Sequence, residues 1–175
     1  MRIISGRFKG KVIKAPAKLP VRPTTDQAKE GLFNILHNWY DFEDLRILDL
    51  FAGTGNVSYE FWSRGVGEVT SVDRHPGCIK FIRMQFKEME VKGQVVKSDS
   101  QKFLTTATGK WDIIFMDPPY ALEGMERLVE VIFERELLSA HGVVILEHPV
   151  QKSYREVNRF NEERRYGGSV FSVFE

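Results

Sequence analysis

Residues 46–55 read Arg46-Ile47-Leu48-Asp49-Leu50-Phe51-Ala52-Gly53-Thr54-Gly55, and their reading decides the fold of this 175-residue chain. An apolar run ends in an acid and then in two glycines one residue apart, ahead of a helical pattern at 56–64. That is a strand turning directly into a helix. Glycine at such a turn lets backbone approach a ligand with no Cβ in the way. The helix that follows begins with unpaired N–H groups, which favour a negative ligand group such as a carboxylate.

Outward from this turn the chain alternates. Strand-like runs at 46–51, 68–73, 94–97, 111–116 and 142–147 are separated by helical stretches near 56–64, 76–90, 100–107 and 122–137. Five such units predict a largely parallel sheet covered on both faces. Two more runs, near Asn158 to Arg164 and Ser169 to Phe174, flank Tyr166-Gly167-Gly168. A hairpin there brings the last strand into the sheet antiparallel. Upstream, Ile3-Ile4-Ser5 and Lys11-Val12-Ile13-Lys14 flank Gly6 and Gly10 as a short β-hairpin. Pro16, Pro20 and Pro23 then keep the chain extended. Thr24-Thr25-Asp26-Gln27 has the spacing of a capping box. The helix after it places Ala28, Leu32, Ile35, Leu36 and Trp39 on one apolar face. The expected fold class is α/β, a Rossmann-like, mostly parallel seven-stranded sheet with an antiparallel last strand, plus the N-terminal β-hairpin. In such sheets ligands bind at the carboxyl ends of the strands, at the switch point.

The strand ends carry the chemistry. In the loop Phe51-Ala52-Gly53-Thr54-Gly55, Asp49 stands four residues before Gly53, where it can meet an ammonium or order water. Ser58 occupies the place of the third glycine of the dinucleotide fingerprint. Both features favour S-adenosylmethionine over NAD, although two glycines alone also serve tight packing. Asp73 closes the second strand, 18 residues after Gly55, and can accept from two ribose hydroxyls, or cap the next helix. Ser98-Asp99-Ser100 closes the third strand, where Asp99 is either an acceptor for an adenine amino group or another cap.

Asp117-Pro118-Pro119-Tyr120 closes the fourth strand. Consecutive prolines remove ladder donors and stiffen the loop. The amino nitrogen of a base is a feeble nucleophile, because its lone pair is delocalised into the ring. A carboxylate from Asp117 and the Pro118 carbonyl, each accepting one amino hydrogen, stabilise a more tetrahedral nitrogen and its developing positive charge. Tyr120 can stack on the base. With one cysteine, Cys78, and four scattered histidines, the sequence offers no metal-ligand cluster.

Charge points to the partner. Residues 1–22 carry seven basic side chains (Arg2, Arg7, Lys9, Lys11, Lys14, Lys18, Arg22) and no acid, leaving 18 basic against 24 acidic residues in 23–175. A basic arm on a slightly acidic body suits a surface that meets phosphates, or is simply a solvated hairpin. No apolar run is long enough to span a bilayer or act as a signal peptide. A single cysteine suits the reducing cytoplasm. The expected organisation is a basic hairpin at 1–22 and one catalytic domain at 23–175, forming one globular unit.

The Asp117-Pro118-Pro119-Tyr120 loop looks like the signature of amino-group methyltransferases. The chain as a whole resembles the RsmD family of bacterial 16S rRNA guanine-N2 methyltransferases. The resemblance is carried by Arg2-Ile3-Ile4-Ser5-Gly6, Lys9-Gly10-Lys11, Arg22-Pro23-Thr24-Thr25-Asp26, Leu32-Phe33-Asn34, Asp49 to Gly55, Ser63-Arg64-Gly65, Asp117 to Tyr120 and Arg165-Tyr166-Gly167. It implies a class I S-adenosylmethionine-dependent methyltransferase fold and methylation of one guanine N2 in 16S rRNA, within the small subunit or an assembly intermediate. S-adenosylhomocysteine is the implied product, and the chain is expected to act as a monomer. It further implies that Arg22 and Thr24 lie beside the methionine end of the donor or the target base, and that Arg165 and Tyr166 contact base or phosphates. Tyr120 stands where the family more often has Phe, and Asp73 where it often has Glu; both swaps keep the role. His148, at the end of the fifth strand, reads as structural. A DNA adenine or cytosine amino-methyltransferase, a nicotinamide-dependent dehydrogenase and a non-catalytic RNA-binding relative remain as alternatives.

Overall fold

The computed structural model describes residues 1–19 and 24–175. The expectations for Pro20, Arg22 and Pro23 lie outside the described residues. The elements run α1 (Asp26–Trp39), β1 (Arg46–Asp49), α2 (Asn56–Ser63), β2 (Glu68–Asp73), α3 (Pro76–Glu88), β3 (Gln94–Lys97), α4 (Ser100–Thr106), β4 (Trp111–Met116), α5 (Met125–Glu134), β5 (Leu138–Pro149), β6 (Phe160–Tyr166) and β7 (Ser169–Phe174). One seven-stranded sheet has the order β3-β2-β1-β4-β5-β7-β6. Strands β1 to β5 are parallel to one another where they pair, and β7 runs antiparallel to both β5 and β6. This is the doubly wound sheet expected from the alternation, with its switch point between β1 and β4.

Period-two alternation explains why the sheet is covered on both sides. Leu48, Ile114, Met116, Val144 and Leu146 join Leu104 of α4 and Leu128, Val129 and Ile132 of α5 in one core. Their neighbours Ile47, Ile113, Phe115, Val143 and Ile145 join Ala28, Leu32, Phe33 and Leu36 of α1 and Val57 and Phe61 of α2 in the other. A third cluster seats Ile3 and Ile13 of the N-terminal hairpin against Tyr59 of α2 and Phe81, Ile82 and Phe86 of α3. The hairpin is real but minimal, a single Arg2–Val12 antiparallel bridge. Gly6, at φ +80°, is pressed so close to the end of α2 that an added Cβ would fall 1.8 Å from the Ser63 carbonyl oxygen.

Several boundaries differ from expectation. β1 stops at Asp49, because Leu50 onward turns towards the glycine loop. α5 starts only at Met125, since Gly124 in the left-handed region breaks the chain before it, and it ends at Glu134, ahead of Glu136 at φ +52°. β5 begins at Leu138, four residues early; a register shift opposite Trp111–Ile113 admits the half-exposed segment. Gly142 sits in that shift, where a Cβ would lie 2.8 Å from the Trp111 carbonyl oxygen. On α1, Trp39 is exposed, and the buried set includes Lys29, which is not on the expected apolar face. The capping box is only half realised. Thr25, not Thr24, is the N-cap, its hydroxyl accepting from the Ala28 N–H at 3.2 Å. No helix among the described residues is long and apolar enough to cross a membrane.

Candidate active site

Four parallel strands deliver four acids to one edge of the sheet: Asp49 from β1, Asp73 from β2, Asp99 beyond β3 and Asp117 beyond β4. All four line one cavity of about 720 Å³, within the usual range for a small-molecule site. The Phe51, Ala52, Gly53 and Thr54 segment forms one wall, and Pro118, Pro119 and Tyr120 form another. Thr24 and Ser100 complete the set of expected residues that reach it.

The glycine loop is held by its own backbone. Gly53 and Gly55 adopt φ +53° and +85°, the left-handed region that favours glycine. At Gly55 a Cβ would also lie 2.6 Å from the Tyr59 ring, so packing enforces that glycine. The Gly53 N–H donates to Asp73 at 2.9 Å, and the His75 N–H donates to the other Asp73 oxygen at 2.7 Å. Those bonds fix the carboxylate while leaving lone pairs for further donors, since a carboxylate offers about four acceptor sites. Asp73 does not cap α3; His75 does, through its ring nitrogen. Asp99 does cap α4, accepting from the Lys102 N–H at 3.1 Å, and lines the cavity as well.

Asp49 is almost wholly buried. Burial pushes its carboxyl up to about 7; the hydroxyl of Ser58 opposes the rise and the charge of Asp73 adds to it. Ser58, the residue in the place of a third glycine, donates to Asp49 at 2.6 Å and lies 2.8 Å from the Ser71 hydroxyl. On the other wall, Pro118 is buried and Pro119 exposed. The Leu122 N–H closes a turn on the Pro119 carbonyl at 2.8 Å. Asp117 accepts from the Thr24 hydroxyl at 3.2 Å.

The whole chain, residues 1–175, matches the family described as "Conserved hypothetical protein 95". It is 37% identical over 153 residues to the Bacillus subtilis (strain 168) protein named "Putative rRNA methyltransferase YlbH", covering 85% of this chain and 82% of that one. The Escherichia coli (strain K12) Ribosomal RNA small subunit methyltransferase D is 27% identical over 152 residues, covering 86% and 76%. The chain belongs to the RsmD family. A solved structure of a hypothetical protein from Thermus thermophilus superposes with TM-score 0.87 at 28% identity, covering 100% of this chain and 99% of that one. The fold is that of the class I S-adenosylmethionine-dependent methyltransferases.

The residues of this RsmD-family cavity suit that donor. An acceptor clamped by two main-chain N–H groups stands at Asp73, a loop with no bulk at Gly53, and an α2 N-terminus with no side-chain cap. His75, Cys78, Asn56, Glu147 and Ser169 also line the cavity, and the sequence reading did not choose them for the site. Glu147 accepts from the Ser169 hydroxyl at 2.8 Å. His148 is buried, 2.8 Å from the Ser172 hydroxyl and edge-on to Tyr154, as a structural histidine should be.

The basic residues expected to meet RNA fall into two groups. Arg7, Lys9 and Lys14 are exposed on or beside the hairpin. Arg2 is 3.4 Å from Asp26 and Lys11 3.0 Å from Glu88, in solvent-facing pairs. Arg165 is exposed and 3.2 Å from Glu163. Tyr166 is half-buried, its ring laid on Gly31 of α1 so closely that a Cβ there would meet it at 2.3 Å. Arg22 lies outside the described residues.

Proposed function

We propose that this chain transfers the methyl group of S-adenosylmethionine to the exocyclic N2 of a guanine in 16S rRNA, presented by the small ribosomal subunit or an assembly intermediate, and that it does so as a cytoplasmic monomer. The observation that carries this reading is the Asp117-Pro118-Pro119-Tyr120 loop, which lines the same cavity as the glycine loop and Asp73. Donor groups and amine-gripping groups thus share one enclosed space. The names of the relatives supply the nucleic-acid class, and the exposed Arg7, Lys9 and Lys14 supply phosphate-neutralising charge.

Bound donor contributes a methyl carbon activated by a neighbouring sulfonium. This chain's residues do the rest. Asp73 and Asp99 accept from ribose and adenine groups, and Asp49 with the start of α2 receives the methionine end. Tyr120 offers its ring to a guanine unstacked from the RNA, a step costing a few kcal/mol. Asp117 and the Pro118 carbonyl each accept a hydrogen bond from one N2 hydrogen. This turns the nitrogen lone pair out of the ring plane towards the methyl carbon and offsets the charge that develops as the nitrogen–carbon bond forms and the methyl–sulfur bond breaks; S-adenosylhomocysteine leaves, and the surplus N2 proton passes to solvent. No covalent enzyme intermediate is involved.

The test is substrate choice. Labelled donor is incubated with the protein and, separately, with small subunits, naked 16S rRNA and duplex DNA, and the products are digested to nucleosides. Label should appear as N2-methylguanosine from the ribosomal substrates. Label in a DNA adenine or cytosine, or none in any arm, would overturn the reading.

A further inference from the structure

A buried polar chain runs from the N-terminal hairpin to Asp117. Lys29 of α1 has no exposed surface, yet its ammonium donates to the Arg2 carbonyl at 2.6 Å and to Asn56 Oδ1 at 3.0 Å, and lies 3.3 Å from Glu60. Burial pushes the Lys29 ammonium down, and the facing charge of Glu60 opposes this. Glu60, equally buried, accepts from the Ile4 and Ser5 N–H groups at 2.9 and 3.0 Å and from Arg64. Asn56 then spans to the next link, its Nδ2 donating to the Thr24 carbonyl at 3.0 Å. Thr24 is itself buried, and its hydroxyl donates to Asp117.

We infer that Thr24 is a positioning residue for Asp117, held in place by Asn56 and Lys29, so that the amine-gripping carboxylate is oriented from the seated hairpin. The inference rests on the proposed role of Asp117. Three features point to it. The helix cap is supplied by Thr25, so the Thr24 hydroxyl is not spent on α1. The Thr24 main chain is held by Asn56, which is held in turn by the fully buried Lys29, so the hydroxyl is presented from a fixed backbone. The bond from the Thr24 hydroxyl restricts rotation of the Asp117 carboxyl group.

Thr24→Val keeps the shape and the main-chain carbonyl while removing the hydroxyl. Transfer to small subunits is measured under saturating donor, with calorimetric affinity for S-adenosylhomocysteine and a thermal melt alongside. The expected kcat loss is on the order of tenfold or more, the scale of a hydrogen bond to a charged group. KM for the subunit and affinity for S-adenosylhomocysteine should change less than about twofold, as for an interaction felt mainly in the transition state. Thr24→Ser should restore kcat. Wild-type kcat in Thr24→Val, a loss that Ser does not rescue, or a loss confined to S-adenosylhomocysteine affinity would each overturn the inference. A wild-type protein inactive on small subunits would instead sink the functional reading on which it rests.

Discussion

Asp49 sits in an environment far from water. Its carboxyl titrates at about 7 when folded, mainly because burial disfavours the charge, against about 4 in the unfolded chain. The folded state therefore holds a proton that the unfolded state has lost. Stability from this group is full below about pH 4 and is lost as pH rises towards 7. Asp49→Asn keeps an acceptor for Ser58 and cannot titrate. Urea midpoints measured from pH 4.5 to 7.5 should fall less steeply with pH in the variant than in the wild type. Parallel slopes would mean that Asp49 is ionised throughout. His148 shifts the opposite way, downward through burial, and is common to both proteins, so the comparison isolates Asp49. That Asp49 belongs to the cavity was legible from its place before the glycines. Its depth was not, because Ser58 and Ser71 reach it only once β1, α2 and β2 have assembled.

At the scale of elements, α1 carries a glycine where its helix would gain from alanine. Gly→Ala in a helix interior ordinarily stabilises by roughly 1 kcal/mol. Here the added carbon would strike the Tyr166 ring at 2.3 Å. Gly31→Ala should therefore destabilise by about 1–3 kcal/mol in denaturant titration, the usual cost of overpacking, whereas in a Tyr166→Ala background the same substitution should cost nothing or stabilise. If Gly31→Ala is stabilising by itself, Tyr166 is not seated on α1. β2, β3 and β4 were legible to the residue, because short apolar runs bounded by charged and turn residues are the pattern of strands buried on both faces. The limits of α5 and β5 were not. Gly124 and Gly142 act there through backbone angle and close approach to Trp111, which residue type alone does not disclose. The reading of Arg165 and Tyr166 as one contact set divides in the same way. Arg165 faces solvent, while Tyr166 ties the last hairpin to α1.

For the molecule as a whole, charge and chemistry are brought together by the way the hairpin is seated. Its apolar side is fixed by Ile3 and Ile13 and its backbone by Glu60 and Lys29, while Lys9 and Lys14 remain exposed. Reversing both, Lys9→Glu with Lys14→Glu, should weaken binding to small subunits and make it less salt-dependent. Unchanged affinity and slope would return the hairpin to a solvated ornament of the fold. The four acids and the Pro-Pro loop were legible because each closes a strand of a parallel sheet, and such a sheet gathers its strand ends. Lys29, Asn56 and Glu147 were not, because a buried polar residue is spelled like an exposed one. In the proposed mechanism Asp117 grips the amine and not the donor. Single-turnover transfer by Asp117→Ala, measured beside calorimetric binding of S-adenosylhomocysteine, tests that directly. The rate should fall on the order of 10²-fold or more, as on removing a transition-state acceptor, with affinity for the product essentially kept. Normal transfer, or a loss of binding that accounts for the loss of rate, would contradict it.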